Sequence, residues 1–204
     1  MKHILLSAFL LLAAISTYGQ TDGPPPEPCR LKLSQAPAVR GVKLGMTVDE
    51  LLPLFPGITD TSGINRMLSA AEGYPHFGDA SFSIGPSSWA NTDRFAGISS
   101  YFVHTFDRRI IALGVQYEGF PTGARWKDPD DLIQRFSDSL HLPGPKDWAG
   151  GPTNPNRTLK CDGFEIQVSG GDQASIRFYT RSWEGTKTER LAAFEAQKRR
   201  EFKP

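Results

Sequence analysis

Short blocks of apolar and polar positions follow one another along this chain, and their period switches between those of strand and helix. The first block has neither period. Met1-Lys2-His3 leads into an apolar run over 4–15, broken only by Ser7, and then into Ser16-Thr17-Tyr18-Gly19. A positive start, an apolar stretch too short to span a bilayer and small residues at 17 and 19 predict an export signal over 1–19, cut ahead of Gln20. A Pro-rich arm is expected over 20–28, where Pro24-Pro25-Pro26 and Pro28 hold the backbone extended.

Beyond the arm the chain reads as one α+β domain over 29–204. Residues 29–35 alternate polar and apolar side chains and predict a strand, which Pro37 ends. Thr47 and Glu50 stand at capping-box spacing ahead of Leu51, Leu52, Leu54 and Phe55, predicting a short helix stopped by Pro56-Gly57. Ile64, Met67, Leu68 and Ala71 share a face of a second helix. Strands are expected over 81–84, 96–105 and 109–117, the last two flanking Phe106-Asp107-Arg108 as a hairpin connection. The order then restarts. Asp128 caps and Pro129 opens a helix with Leu132, Ile133, Phe136 and Leu140 on its apolar face. Strands over 158–161, 164–168 and 174–180 follow, with Asp162-Gly163 as a two-residue turn. The pattern thus predicts two helix-plus-antiparallel-sheet units, helix then about three strands, as two repeats over 29–120 and 121–204. A C-terminal helix over 187–202 closes the chain, opened by Thr186 and Glu189, with a thin apolar face of Leu191, Ala192 and Phe194.

Composition narrows the partners. Thirteen Phe and four Trp in a chain 39% hydrophobic supply a packed core, while sixteen Pro and twenty Gly promise many turns. The leader holds one Lys and no acid, and the remaining charges balance, so neither nucleic acid nor an anionic membrane is expected as a partner. No later stretch is long and apolar enough to span a bilayer, so no stable membrane insertion is expected. The two cysteines are Cys29 and Cys161, and an even count in an exported chain favours a bridge between them over two buried thiols.

The segment Gly41-Val-Lys-Leu-Gly-Met-Thr-Val-Asp-Glu-Leu51 resembles a group of uncharacterised exported bacterial proteins, in which a Gly-x-x-Leu-Gly-Met-[Ser/Thr] segment opens the first helix after a short Cys-containing strand. Leu159-Lys-Cys161-Asp-Gly-Phe164 and Ala174-Ser-Ile-Arg-Phe178 are similar to the closing strands of that group. The Gly-Met-Thr helix start and the doubled element order also resemble the secreted β-lactamase inhibitor proteins and the small outer-membrane assembly lipoproteins. That resemblance implies a fold that binds other proteins through a sheet surface and is not an enzyme. The chain departs from the lipoproteins because Cys29 lies behind the proline run, away from the position that lipid attachment requires.

Candidate chemistry is sparse. His76, His104 and His141 stand at no metal-ligand spacing, and structural or surface roles are expected of them. Ser87-Ser88 and Ser99-Ser100 lack a nucleophile-elbow context. Asp128, Asp130 and Asp131 fall in a helix first turn, where carboxylates satisfy free amides. Gly150-Gly151 and Gly170-Gly171 lack a phosphate-loop context. Lys198-Arg199-Arg200 suits a helix C-terminus, and Asn156-Arg157-Thr158 is a formal glycosylation sequon. The aromatic surplus is more informative. Trp126 and Trp183 precede helices, Tyr74-Pro75-His76-Phe77 forms an aromatic loop, and Trp89 and Trp148 are surrounded by Pro, Gly and polar residues, which predicts exposed binding loops.

The expected function is therefore that of a non-catalytic interaction module, exported to the periplasm or the medium. It would meet another envelope or secreted protein through a sheet face or the Trp89 and Trp148 loops. Two alternatives stand beside it: a carbohydrate or small-ligand binder stacking rings on those tryptophans, and a small hydrolase whose Ser or His no motif reveals. No catalytic residue, cofactor or metal site is assigned.

Overall fold

The computed structural model describes residues 29–90, 93–118, 126–150, 154, 156–170 and 173–203. The expected export signal and Pro-rich arm lie outside the described residues. Among the described residues the architecture is α+β: a six-stranded antiparallel sheet with four α-helices. The chain runs through α1 (Val48–Leu51), α2 (Ser62–Ala70), β1 (Asp79–Ile84), β2 (Ile98–Phe106), β3 (Arg109–Tyr117), α3 (Pro129–Leu140), β4 (Asn156–Cys161), β5 (Phe164–Ser169), β6 (Ser175–Tyr179) and α4 (Glu184–Glu201). The strand order across the sheet is β1-β2-β3-β6-β5-β4. Among the described residues no helix is long and apolar enough to cross a membrane.

The start of α1 follows from its sequence. Gly45 adopts φ +79°, a left-handed conformation that glycine enters without a Cβ clash. The turn lets Gly45 N–H donate to Ile110 O at 2.8 Å while Ile110 N–H donates to Met46 O at 2.9 Å, pinning the segment to the start of β3. Thr47 then caps α1: its hydroxyl oxygen accepts from Glu50 N–H at 3.2 Å, and the Glu50 carboxylate accepts from Thr47 N–H at 2.8 Å. At α3 the Asp128 carboxylate accepts from Asp131 N–H at 2.9 Å, and His141 closes the helix at φ 55°.

Register explains the burial. The row Phe82–Val103–Leu113–Phe178–Ile166–Leu159 crosses all six strands and points at α1–α3, as does the row from Ile84 and Tyr101 through Val115, Ile176 and Val168. Leu51 and Phe55 from the first helical segment and Leu132, Ile133 and Phe136 from α3 pack on these rows. Phe55 stacks on Phe95 at 4.8 Å and meets Tyr101 edge-on at 5.5 Å. The second row ends at Arg157, whose buried guanidinium pairs with Asp130 of α3. A buried cation needs such a partner.

Two expected elements are corrected. Residues 29–35 do not form a strand: Lys32 makes a single bridge to Asp162 and Leu33–Gln35 is a 3-10 turn, because the Gln35 side chain accepts the Lys32 N–H at 3.0 Å. The last helix starts at Glu184, ahead of Thr186, because Trp183 packs on the sheet and its indole N–H donates to Thr180 O at 3.0 Å. Tertiary packing, rather than a capping box, sets that start.

Candidate functional site

Alternation along each strand gives the sheet a second face, opposite α1–α3. Its central row is Ser83–Phe102–Gly114–Arg177–Gln167–Thr158, one residue per strand. On one side lies Ser81–His104–Ala112–Tyr179–Glu165–Lys160, and on the other Ser100–Gln116–Ser175–Ser169–Asn156. Small and polar side chains dominate these rows, so the face forms an open trough of about 810 Å3.

Phe102 is the large apolar side chain in the trough and is 56% exposed. It leans over Gly114: a Cβ built at 114 would stand 3.4 Å from Phe102 Cβ and 3.9 Å from its Cδ2. The ring thus shields the bare backbone of the neighbouring strand while turning its other side to solvent. Arg177 stands on the far side of Gly114, exposed, with its guanidinium over the Tyr179 ring at 5.7 Å. The Tyr179 hydroxyl donates to Glu165, and burial, with that carboxylate beside it, raises the phenol pKa. The amides of Gln116 and Gln173 hydrogen bond to each other at one rim.

Helix α4 lies at the other end of this face. Trp183, Lys187, Arg190 and Phe194 recur at helical spacing along one side of it. Trp183 meets His104 at 5.7 Å and Phe106 at 5.5 Å. Arg190 forms a bidentate pair with Asp107 at 2.7 Å for both bonds, and Phe194 stacks on Tyr74 at 4.8 Å. The Asp79 carboxylate receives His104 Nε2 on one oxygen and Lys187 Nζ on the other. Burial pushes the Asp79 carboxyl up, but the Lys187 and His104 hydrogen bonds and charges outweigh it and hold the pKa below the ordinary value. Ser81 is the cross-strand neighbour of His104, yet no hydrogen bond joins them, and Asp79 occupies the ring nitrogen. This cluster docks α4; it does not assemble an activated nucleophile.

The residues singled out in the sequence fall in different places. Cys29 and Cys161 form a disulfide. Trp89 and Trp148 are buried, 8% and 3% exposed, which corrects the expectation of exposed binding loops. Their Pro and Gly neighbours make tight turns instead. Pro86–Ser88 is a 3-10 turn that folds Trp89 onto Phe95 at 5.6 Å, and Gly57 N–H donates to Ser88 O beside it. Pro145–Asp147 turns Trp148 inward, where its indole N–H donates to Pro143 O at 3.0 Å. The Trp89 indole N–H has no acceptor among the described residues. Trp126 and Trp183 are partly exposed, His76 and His141 are exposed, and Ser99 donates to Gln116 O at 3.1 Å. Asp128 and Asp131 cap α3 as expected.

Phe102 and Arg177 were not singled out by the sequence reading. A signal existed: residues 101–104 carry aromatic or apolar side chains at both parities of a strand, and Gly114 sits mid-strand in the partner run, where glycine often marks a close approach. Among the described residues no group of three or more His, Cys, Asp or Glu side chains converges to hold a metal ion. No protein-family profile, curated protein or solved structure matches the chain. The open face offers an exposed ring at Phe102, an exposed guanidinium at Arg177, the charges of Lys160 and Glu165, and a field of hydroxyls and amides.

Proposed function

We propose that this protein is an exported, non-catalytic interaction module that binds another envelope or secreted protein through the open face of its sheet. The carrying observation is Phe102, a large aromatic side chain left exposed at the centre of a sheet face whose other outward-pointing side chains are mostly small or polar. Aromatic anchors of this kind dominate the energetics of protein interfaces. The Cys29–Cys161 bridge supports an oxidising compartment, and the export-signal pattern at 1–19 agrees with it. We further read the sheet as two units, 29–120 and 121–204, each placing helix before three strands and meeting at the antiparallel β3–β6 pair. The resemblance to exported proteins that bind through such sheets supports the same reading. A carbohydrate site on Trp89 and Trp148 has no exposed ring to stack on.

The test compares capture of partners from envelope extract and culture supernatant by the parent protein, by Phe102→Asp and by Phe202→Asp. Phe202 is a second exposed phenylalanine, 76% accessible, and does not line the trough. Loss of a stoichiometric partner with the first variant alone supports the assignment. Undiminished capture by Phe102→Asp overturns it.

A further inference from the structure

The charges on the open face specify what the partner must bring. Arg177 lies on the central row, one strand away from Gly114 and two from Phe102. Neighbouring strands are about 4.8 Å apart, so the backbones bearing the ring and the guanidinium stand roughly 10 Å apart. Among the described residues Arg177 makes no ion pair; its recorded partner is the Tyr179 ring. Of the other ionisable groups on or beside this face, Lys160 and Arg181 are cations like Arg177, and the rest are committed. His104 is bound to Asp79, whose second oxygen is bound to Lys187, and Glu165 accepts from the Tyr179 hydroxyl. Apart from Phe82, Val103, Val115 and Ile176, whose side chains belong to the core on the other face, the remaining trough positions are hydroxyls, amides and small side chains. An exposed guanidinium beside an exposed ring, in a trough that carries no carboxylate among its lining residues, is complementary to an acid adjoining an apolar group.

We infer that the partner presents an acidic segment, with a carboxylate that pairs with Arg177 and a neighbouring aromatic side chain that covers Phe102. An extended segment places side chains two residues apart about 7 Å from each other on one side, a spacing that fits this pair of contacts. The inference rests on the open-face reading and deepens it by fixing the sign of the partner's charge. It also distinguishes Arg177 from Arg157 and Arg190, whose guanidinium groups are spent on Asp130 and Asp107 within the molecule.

Three capped peptides test it against the purified protein by amide NMR titration: Gly-Asp-Gly-Phe-Gly, its Asn counterpart and its Lys counterpart. The acidic peptide is expected to shift the Phe102, Gly114 and Arg177 signals saturably, and the Asn peptide to bind about tenfold more weakly. Arg177→Gln should bring the acidic peptide down to the Asn level, whereas Phe102→Ala should weaken both. Equal affinity for the acidic and Asn peptides, or indifference to Arg177→Gln, overturns the charge assignment while leaving the face as the docking surface. Stronger binding of the Lys peptide, or no saturable shift with any peptide, also overturns it. Failure of the face itself is read separately, from capture that survives Phe102→Asp.

Discussion

Several single residues here hold positions that their chemistry alone permits. Gly45 is one. Its φ of +79° aims the chain so that Met46 and Gly45 bond to Ile110 and Thr47 arrives ready to cap α1. No other atom lies within 4 Å of a Cβ built there, so the cost of a side chain is purely conformational. Gly45→Ala should lower unfolding free energy by about 1–2 kcal/mol without changing the fold, as read from urea midpoints. The buried tryptophans offer a second check at this scale. Iodide should quench Trp126 and Trp183 and leave Trp89 and Trp148 dark to it, and Trp148→Ala should cost about 3–5 kcal/mol by opening a cavity. Efficient quenching of all four would contradict the burial described above.

Among the elements, α4 is held differently from the rest. It buries no residue of its own and is tied down by Trp183, the Asp79–Lys187 and Asp107–Arg190 pairs and the Phe194–Tyr74 stack. The folded pKa of Asp79 lies below its ordinary value of 3.8. Ionised Asp79 therefore stabilises the docked helix at any pH above that value, and the contribution is lost as pH falls through the depressed pKa. Trp183 emission should report undocking in that acid range before the core unfolds. In Asp79→Asn the docking should already be weaker at neutral pH and the acid step reduced. An identical acid transition in both proteins would remove Asp79 from the account. Elements whose signals are local were legible in the sequence: the Thr47–Glu50 box, the Asp128 cap with Pro129, and the Asp162-Gly163 turn all stand as read. Two elements were not. The alternation over 29–35 loses to a local competitor, the Gln35 side chain that accepts the Lys32 N–H, and the Thr186–Glu189 spacing loses to the distant packing of Trp183 on His104 and Phe106.

At the scale of the molecule, the sheet order was the least legible feature. Nothing local in residues 112–116 says that they pair with residues 175–179, and that pairing decides which rows face helices and which face solvent. The reading of Trp89 and Trp148 failed for the same reason: Pro and Gly specify a turn, while the direction a ring takes from it depends on Phe95 or Pro143. The cysteine pairing was legible because only two residues had to be matched. Removing the bridge with Cys29→Ser and Cys161→Ser together should cost about 2–5 kcal/mol, and the denatured, unreduced parent should titrate as thiol-free. Two reactive thiols per chain would end that assignment. The bridge also fixes what proteases can do to this protein. It joins residues 132 apart, so one nick in that span, at the exposed Glu72-Gly73 turn for instance, leaves a single covalent molecule until a reductant is added. A cut in the Arg181-Ser182 turn lies outside the ring and severs α4 outright, so a protease can strip the helix from one end of the open face while the body of the domain remains closed on itself.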